Sequence, residues 1–311
     1  MSARGSHLTR RHLKRAAQSA YQWVPFKRQL AMALRPLPLP RPVQRLIRFD
    51  GVITVAIDPA HSFQLTAGRL ANELFWRGYG RGWEATSLRV WASAAPHANT
   101  IVDIGGNVGI YALAAKTLAP RAHVVAFEPL ERMHRRLVEN VRLNGFEIDA
   151  EQLAVSDRTG VATLYDAQPD DFSVASLDHA PEGKGKVVRH EVRVTRLDDY
   201  CADHGIGAID LLKIDIEGHE PAALRGMGEQ LSRGRPTILI EVLSNEAANE
   251  VWSLLKPLDY EAYRIDERRG IERVDGMAGQ SDAGRNYLVC QPGVAARYDL
   301  ESLMIAKAVR Q

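Results

Sequence analysis

The stretch VDIGGNVG, residues 102–109, leaves this chain few folds to choose from. It ends an apolar strand on an acid, Asp103, and turns through Gly105, Gly106 and Gly109 into a helix-forming run, IYALAAKTLA. A second apolar strand, HVVAF, closes on Glu128, 25 residues after Asp103. Glycines at a strand-to-helix turn let the backbone approach a ligand closely, and the helix start offers free N–H groups. An acid ending the next strand can accept hydrogen bonds from both hydroxyls of a ribose. The segment therefore reads as a strand–loop–helix–strand unit that holds a nucleoside.

The loop also says which nucleoside. A diphosphate-binding dehydrogenase loop would read G-x-G-x-x-G. Here it reads G-G-N-V-G, with Asp103 two residues before the first glycine. An acid at that strand end suits a cation, such as the sulfonium and ammonium of S-adenosylmethionine, better than a diphosphate. The expected cofactor residues are Asp103, Gly105, Gly106, Asn107, Gly109 and Glu128. AVSD, residues 154–157, follows a third strand, so Ser156 and Asp157 join the set as adenine-side candidates. The plainer reading of Asp157 is that it opens the turn DRTG, a role to which Asp is suited.

A βα rhythm runs on from residue 100. Strands are predicted at 100–104, 123–127, 151–155, 209–215 and 237–242, with helices at 108–118, 130–143, 220–231 and 246–256. The strands are continuous apolar runs such as TILIEV, as expected where both faces of a parallel sheet are covered. Tail strands are predicted at 260–265 and 286–290. Upstream, 51–58 and 62–68 read as short strands, and 70–95 as helix broken by glycines at 78, 80 and 82. Trp76, Tyr79 and Trp83 there could stack on a ring, although aromatics at such spacing more often pack. LRPLPLPRP, residues 34–42, is predicted extended, because Pro lacks a helix donor and restrains its predecessor.

The net charge of +2 hides an asymmetry. Residues 1–49 carry eleven Lys/Arg and no acid, and the rest of the chain has 29 bases against 38 acids. The plain reading is a solvated basic arm. The sharper one is an arm, residues 1–45, for an anionic membrane surface or a charged carrier; nucleic acid is disfavoured, since no binding motif accompanies it. Two distant cysteines, Cys201 and Cys290, offer neither a disulfide framework nor zinc spacing, which points to a reducing, cytoplasmic setting, peripheral to the membrane if the arm binds it. No apolar run approaches the roughly 18 residues of a membrane span.

The second dense feature is KIDIEGHE, residues 213–220. It places Lys213, Asp215, Glu217, His219 and Glu220 at the carboxyl end of a strand, where ligands sit in open α/β sheets. Glu220 before a helix reads best as a cap. Glu241 ends the next strand and faces the same cleft.

With these motifs in order, the chain resembles the FkbM-type S-adenosylmethionine-dependent methyltransferases. VDIGGNVGIYAL, AFEP (126–129), AVSD, VTRLDDY (194–200), LLKIDIEGHE (211–220) and ILIE (238–241) carry the resemblance, which covers roughly residues 48–291. Gly106 is a departure, since alanine is more usual there. The resemblance implies a class I methyltransferase fold, a Rossmann-like doubly wound sheet of seven strands with an antiparallel edge, and methyl transfer to hydroxyls of sugars, glycans, lipids or natural products. The expected organisation is a basic arm and proline strap (1–47), a substrate-side subregion (48–99), the cofactor domain (100–295) and a tail (296–311), with a dimer as one plausible assembly.

A hydroxyl loses its proton as it attacks, so a base is useful. His219, which titrates nearest neutral pH, and Asp215, oriented by Lys213, are both candidates, with Glu217 beside them. A third option is a divalent metal on Asp215 and Glu241. The sequence leaves these open, and it leaves two rivals to methyl transfer: a nicotinamide oxidoreductase and a non-catalytic nucleoside-binding scaffold.

Overall fold

The computed structural model describes residues 26–167, 175–178, 187–279 and 284–305. In chain order these form α1 (Lys27–Leu34), α2 (Arg41–Leu46), β1 (Val52–Ala56), β2 (Ser62–Thr66), α3 (Arg69–Arg77), α4 (Ala85–Ala94), β3 (Thr100–Ile104), α5 (Ile110–Leu118), β4 (His123–Phe127), α6 (Glu131–Asn144) and β5 (Asp149–Glu151). There follow β6 (Ala154–Val155), β7 (Gly160–Ala167), β8 (Ala175–Ser176), β9 (Val187–Thr195), α7 (Leu197–Asp203), β10 (Leu211–Ile214), α8 (Glu220–Arg225), β11 (Thr237–Glu241), α9 (Asn245–Leu255), β12 (Glu261–Asp266), β13 (Gly270–Val274), β14 (Asn286–Cys290) and α10 (Val294–Arg297).

The main sheet has the order β13-β12-β14-β11-β10-β3-β4-β5. Strands β5, β4, β3, β10 and β11 run parallel, β14 runs antiparallel between β11 and β12, and β13 pairs antiparallel at the edge. The seven expected strands and their antiparallel edge are present, and β13 extends the sheet to eight. Alternation along each strand sorts the core into two halves. Ile101, Val124 and Leu239 face one way, onto Leu113 of α5 and Leu137 of α6. Val102, Val125, Leu212 and Ile238 face the other way, onto Leu197, Leu224 and Val251 of α7, α8 and α9. Helices on both faces are what make continuous apolar strands stable, so the doubly wound reading stands.

The first of these core halves also takes in Ile53, Phe63, Leu74 and Trp91, so the β1–β2 hairpin and α3–α4 pack on α5 and α6. Asn140, fully buried, ties them: its Oδ1 accepts from the Thr66 N–H at 2.9 Å, and its Nδ2 donates to the Val108 carbonyl at 2.8 Å. The hairpin is thereby fastened to the glycine loop itself.

Three expectations are corrected. The predicted strand 151–155 is split: β5 joins the main sheet, while β6 pairs with β9 in a second sheet of order β6-β9-β7-β8. Strand β9 is not among the strands predicted from sequence, although VVRHEVRVT alternates as a half-exposed strand does. The proline-rich strap stops short of 42: Pro40 caps α2, and Pro42 sits in its first turn, where a missing N–H costs nothing. The basic arm before Phe26 and the tail after Ile305 lie outside the described residues.

Candidate active site

The carboxyl ends of β4, β3, β10 and β11 stand side by side and open onto one cleft of about 310 Å³, within the range of small-molecule sites. Gly105, Gly106, Asn107 and Glu128 line one end. Lys213, Asp215, Glu217 and Glu241 line the other, with Trp83 and Glu84 from the start of α4.

At the first end the chain is forced close to itself. Gly105 has φ +84°, and a Cβ there would lie 2.0 Å from the Asp215 carbonyl oxygen. Its N–H and that of Gly106 both donate to the Phe127 carbonyl, at 3.0 and 2.9 Å, which folds the loop over the end of β4. A Cβ at Gly106 would meet nothing nearer than Ala126 Cβ at 3.4 Å, so the departure from alanine has no steric cause. Gly109, at φ +93°, lies against Leu137. Each Glu128 oxygen accepts one backbone N–H, from Asn107 at 3.0 Å and from Leu130 at 2.9 Å. Lone pairs remain for two ribose hydroxyls. Burial pushes the Glu128 carboxyl up to about 7, against those two N–H bonds. Asn107, at φ +51°, keeps a buried side-chain oxygen with no partner among the described residues, and Phe127, Leu153 and Val155 supply an apolar wall. This donor set and shape fit the adenosine half of S-adenosylmethionine.

Four expected cofactor residues do not line this cleft; Gly109, at the start of α5, instead packs on Leu137. Asp103 is 1% exposed and lies beneath the loop, its Oδ2 accepting from the Ala112 N–H at 3.2 Å. It caps the start of α5, and burial, opposed by Lys213, raises it to about 6. Ser156 and Asp157 lie behind the cleft wall. Asp157 pairs with Arg225 at 3.0 Å, and Ser156 Oγ is 2.9 Å from His219 Nε2. The register is the reason: β6 leaves the main sheet, so the residues after it do not reach the shared edge.

At the other end Lys213 is 5% exposed and holds Asp215 at 3.0 Å, with its ammonium 4.8 Å from the centre of the Tyr111 ring. Burial would raise the Asp215 carboxyl, but Lys213 and a hydrogen bond from Glu241 hold it below its ordinary value. Glu241 is pushed well up by burial and by the Asp215 charge. Glu84, which sequence reasoning missed, accepts from the Tyr111 hydroxyl at 2.6 Å, and burial and Asp215 raise it to about 8. Its only sequence signal was its place before the helical run ATSLRVWAS.

The loop after β10 is shaped by Glu220, whose Oε1 accepts from the Ile216 and Gly218 N–H groups, both at 3.1 Å; the capping reading is correct. Glu217 takes φ +56° at the turn. His219 reaches the cleft, yet both ring nitrogens are engaged, Nδ1 by Asp178 at 2.8 Å and Nε2 by Ser156. With Nδ1 on the Asp178 carboxylate and Nε2 on the Ser156 hydroxyl, neither nitrogen faces an acceptor hydroxyl in the cleft. For a metal, no group of three or more His, Cys, Asp or Glu with suitable placement exists among the described residues, and the Lys213 ammonium already supplies the cation beside Asp215. Of the aromatics, Trp83 lines the cleft 6.4 Å from Tyr111, whereas Tyr79 is buried with its hydroxyl on the Leu88 carbonyl, and Trp76 packs edge-on against Phe75.

Comparison with known proteins places this geometry. The Methyltransferase FkbM domain matches residues 103–263, just over half of the chain. The chain is 31% identical over 160 residues to the 31-O-demethyl-FK506 methyltransferase FkbM of Streptomyces tacrolimicus, covering 42% of this chain and 59% of that one. It is 31% identical over 150 residues to the 2-O-methyltransferase NoeI of Sinorhizobium fredii, covering 43% and 60%. It is 26% identical over 174 residues to the AMB antimetabolite synthetase AmbE of Pseudomonas aeruginosa, covering 46% of this chain and 8% of that one. The matches thus span about three-fifths, or much less, of these relatives. On the matched domain, which contains the glycine loop, Glu128 and the Lys213–Glu220 loop, the chain belongs to the FkbM methyltransferase family.

Proposed function

We propose that this chain is an S-adenosylmethionine-dependent O-methyltransferase acting on a hydroxyl of a sugar, glycan, lipid or natural product. The observation that carries the reading is a single cleft joining a nucleoside-shaped end, Gly105 to Asn107 with Glu128, to a carboxyl-rich end around Asp215. The names of the O-methylating relatives support the hydroxyl as acceptor. When bound, S-adenosylmethionine supplies an electrophilic methyl on a positively charged sulfur. The chain then has three tasks: Glu128 and the loop fix the nucleoside, the acids at the strand ends offset the positive charge, and Trp83 and Tyr111 wall the acceptor into line.

The test is calorimetry with S-adenosylhomocysteine. The parent protein binds it and does not bind NAD. Glu128→Ala loses charge-assisted hydrogen bonds of about 1.5–3 kcal/mol each, a loss of roughly 10- to 100-fold in affinity per bond. Unchanged affinity in that variant defeats the assignment of Glu128.

The described N-terminal residues support a contact with an anionic membrane surface. Of seven exposed large hydrophobic side chains among the described residues, five lie here: Phe26, Leu30, Met32, Leu37 and Val43. Six Lys/Arg and no acid accompany them between residues 26 and 49. No helix among the described residues is long and apolar enough to cross a membrane, so the contact is at the surface. Vesicles containing phosphatidylserine should sediment the full chain in a salt-sensitive way, and Phe26→Ser with Met32→Ser should abolish it. Equal sedimentation with neutral vesicles, or none, defeats the idea.

A further inference from the structure

We propose that Glu84 is the general base that takes the proton from the acceptor hydroxyl, oriented by the Tyr111 hydroxyl. The inference rests on the methyltransferase reading and adds to it a residue outside every motif of the family resemblance.

Setting aside Asp215, Glu241 and His219 points to Glu84. Asp215 is spoken for, since one oxygen holds the Lys213 ammonium at 3.0 Å and that charge keeps the carboxyl below its ordinary value, a weak base. Glu241 lies beside the Asp215 charge, which together with burial raises its carboxyl far above the range in which it could work as a base near neutral pH. His219 is bound at both nitrogens. Glu84 lines the same cleft, and among the described residues the one hydrogen bond fixing its carboxyl comes from Tyr111 at 2.6 Å, on Oε2. That leaves Oε1 for the acceptor.

Its placement is rigid. Glu84 precedes α4 with φ +44°, a left-handed conformation uncommon for a non-glycine residue. The first turn of α4 is pinned by Glu267, which accepts from the Thr86 and Ser87 N–H groups at 2.8 and 3.2 Å. The other partner, Tyr111, stands in the first turn of α5, directly after the glycine loop. Glu84 and the cofactor end are thus held by one helix start. Trp83, its neighbour in sequence, gives the same cleft an aromatic wall.

The electrostatics support a base that works near neutral pH. The groups facing Glu84 are Asp215, Lys213, Tyr111, Glu267 and Glu241. Burial and the Asp215 charge raise the carboxyl to about 8, opposed by Lys213 and the Tyr111 hydrogen bond. A base of that strength is matched to a hydroxyl far better than an ordinary carboxylate. The step balances: the acceptor oxygen forms the O–CH₃ bond as the S–CH₃ bond breaks, the electron pair of that bond stays on sulfur, and the hydroxyl proton passes to Glu84 Oε1.

The experiment uses the full chain and Glu84→Gln, which keeps the acceptor for Tyr111. Both proteins are titrated with S-adenosylhomocysteine by calorimetry. Both are assayed for its release from S-adenosylmethionine with methyl glycosides and simple alkyl alcohols as probes. The carboxyl is followed by ¹³C NMR in the glutamate-labelled parent, the variant assigning the signal. The expected result is S-adenosylhomocysteine affinity within about threefold of the parent and a kcat lower by on the order of 10²–10⁴-fold, with the rising alkaline limb of the pH profile lost. The Glu84 signal should titrate well above the ordinary glutamate range, and move in Tyr111→Phe. A variant that keeps kcat, one that loses S-adenosylhomocysteine binding, or a Glu84 signal that titrates as an ordinary carboxylate overturns the proposal. If the probes are not methylated, the titration decides. If the parent itself binds no S-adenosylhomocysteine, it is the methyltransferase reading that fails.

Discussion

The Lys213 ammonium sits 3.0 Å from an Asp215 carboxylate oxygen, two residues apart on one strand end, with Lys213 almost fully buried. Desolvation alone would strip the lysine of its proton, but Asp215, Asp103 and Glu84 together hold its pKa above the ordinary lysine value. Asp103 is its cross-strand partner in the β3–β10 register, so the two motifs found separately in sequence meet through this one cation.

Removing that cation tests the arrangement. Lys213→Met keeps the volume and leaves Asp103 and Asp215 without a counter-charge. Breaking a buried pair costs about 3–5 kcal/mol, and since the Asp215 side chain is 27% exposed the lower end applies. Urea denaturation should show a loss near 3 kcal/mol at pH 7, smaller at pH 5, where Asp103 can take a proton. A variant as stable as the parent at pH 7 would show that the pair contributes nothing.

The glycine loop gives a paired prediction. Gly105→Ala forces a left-handed alanine and drives its Cβ into the Asp215 carbonyl, so the β3 and β10 loops must part. The conformational term alone is roughly 1–2 kcal/mol, and the displaced loop should weaken S-adenosylhomocysteine binding as well. Gly106→Ala meets only an ordinary contact at 3.4 Å and should change stability by less than about 1 kcal/mol. Thermal melts and calorimetry on both variants check the contrast, and equal effects would contradict the geometry.

Glu220 carries a pH signature. Burial raises it to about 7, against hydrogen bonds from Gly218, Ile216 and its own backbone. A carboxyl whose folded pKa is raised contributes stability that is complete below its unfolded value, near 4.5, and is lost as pH rises through about 7. The parent should therefore lose melting temperature between about pH 4.5 and 7 and level off above that. Glu220→Gln keeps the acceptor for Ile216 and Gly218 and cannot ionise, so its loss over that window should be smaller. Parallel curves would place the titration elsewhere, with Glu128 the next group to examine.

The sequence by itself determined the sheet and which residues line one end of the cleft. Strands β3, β4, β11 and β14 were legible because a strand buried on both faces must be apolar throughout, and Gly105 and Glu128 because a turn at φ +84° and an acid at a strand end each leave a local mark. The helix cap at Glu220 was legible for the same reason, since its partners lie two and four residues away. What the tertiary structure decided is everything that depends on which loop faces which. It sent Asp103 beneath the loop and moved Ser156 and Asp157 behind the cleft, because β6 departs for a second sheet. It also tied up His219 through Asp178 and Ser156, and it carried Glu84 to Tyr111 and Lys213. Such contacts join residues tens of positions apart, and chain pattern encodes only neighbours within a turn or a strand. The availability of an imidazole or a carboxyl for chemistry is set by partners that only folding brings near.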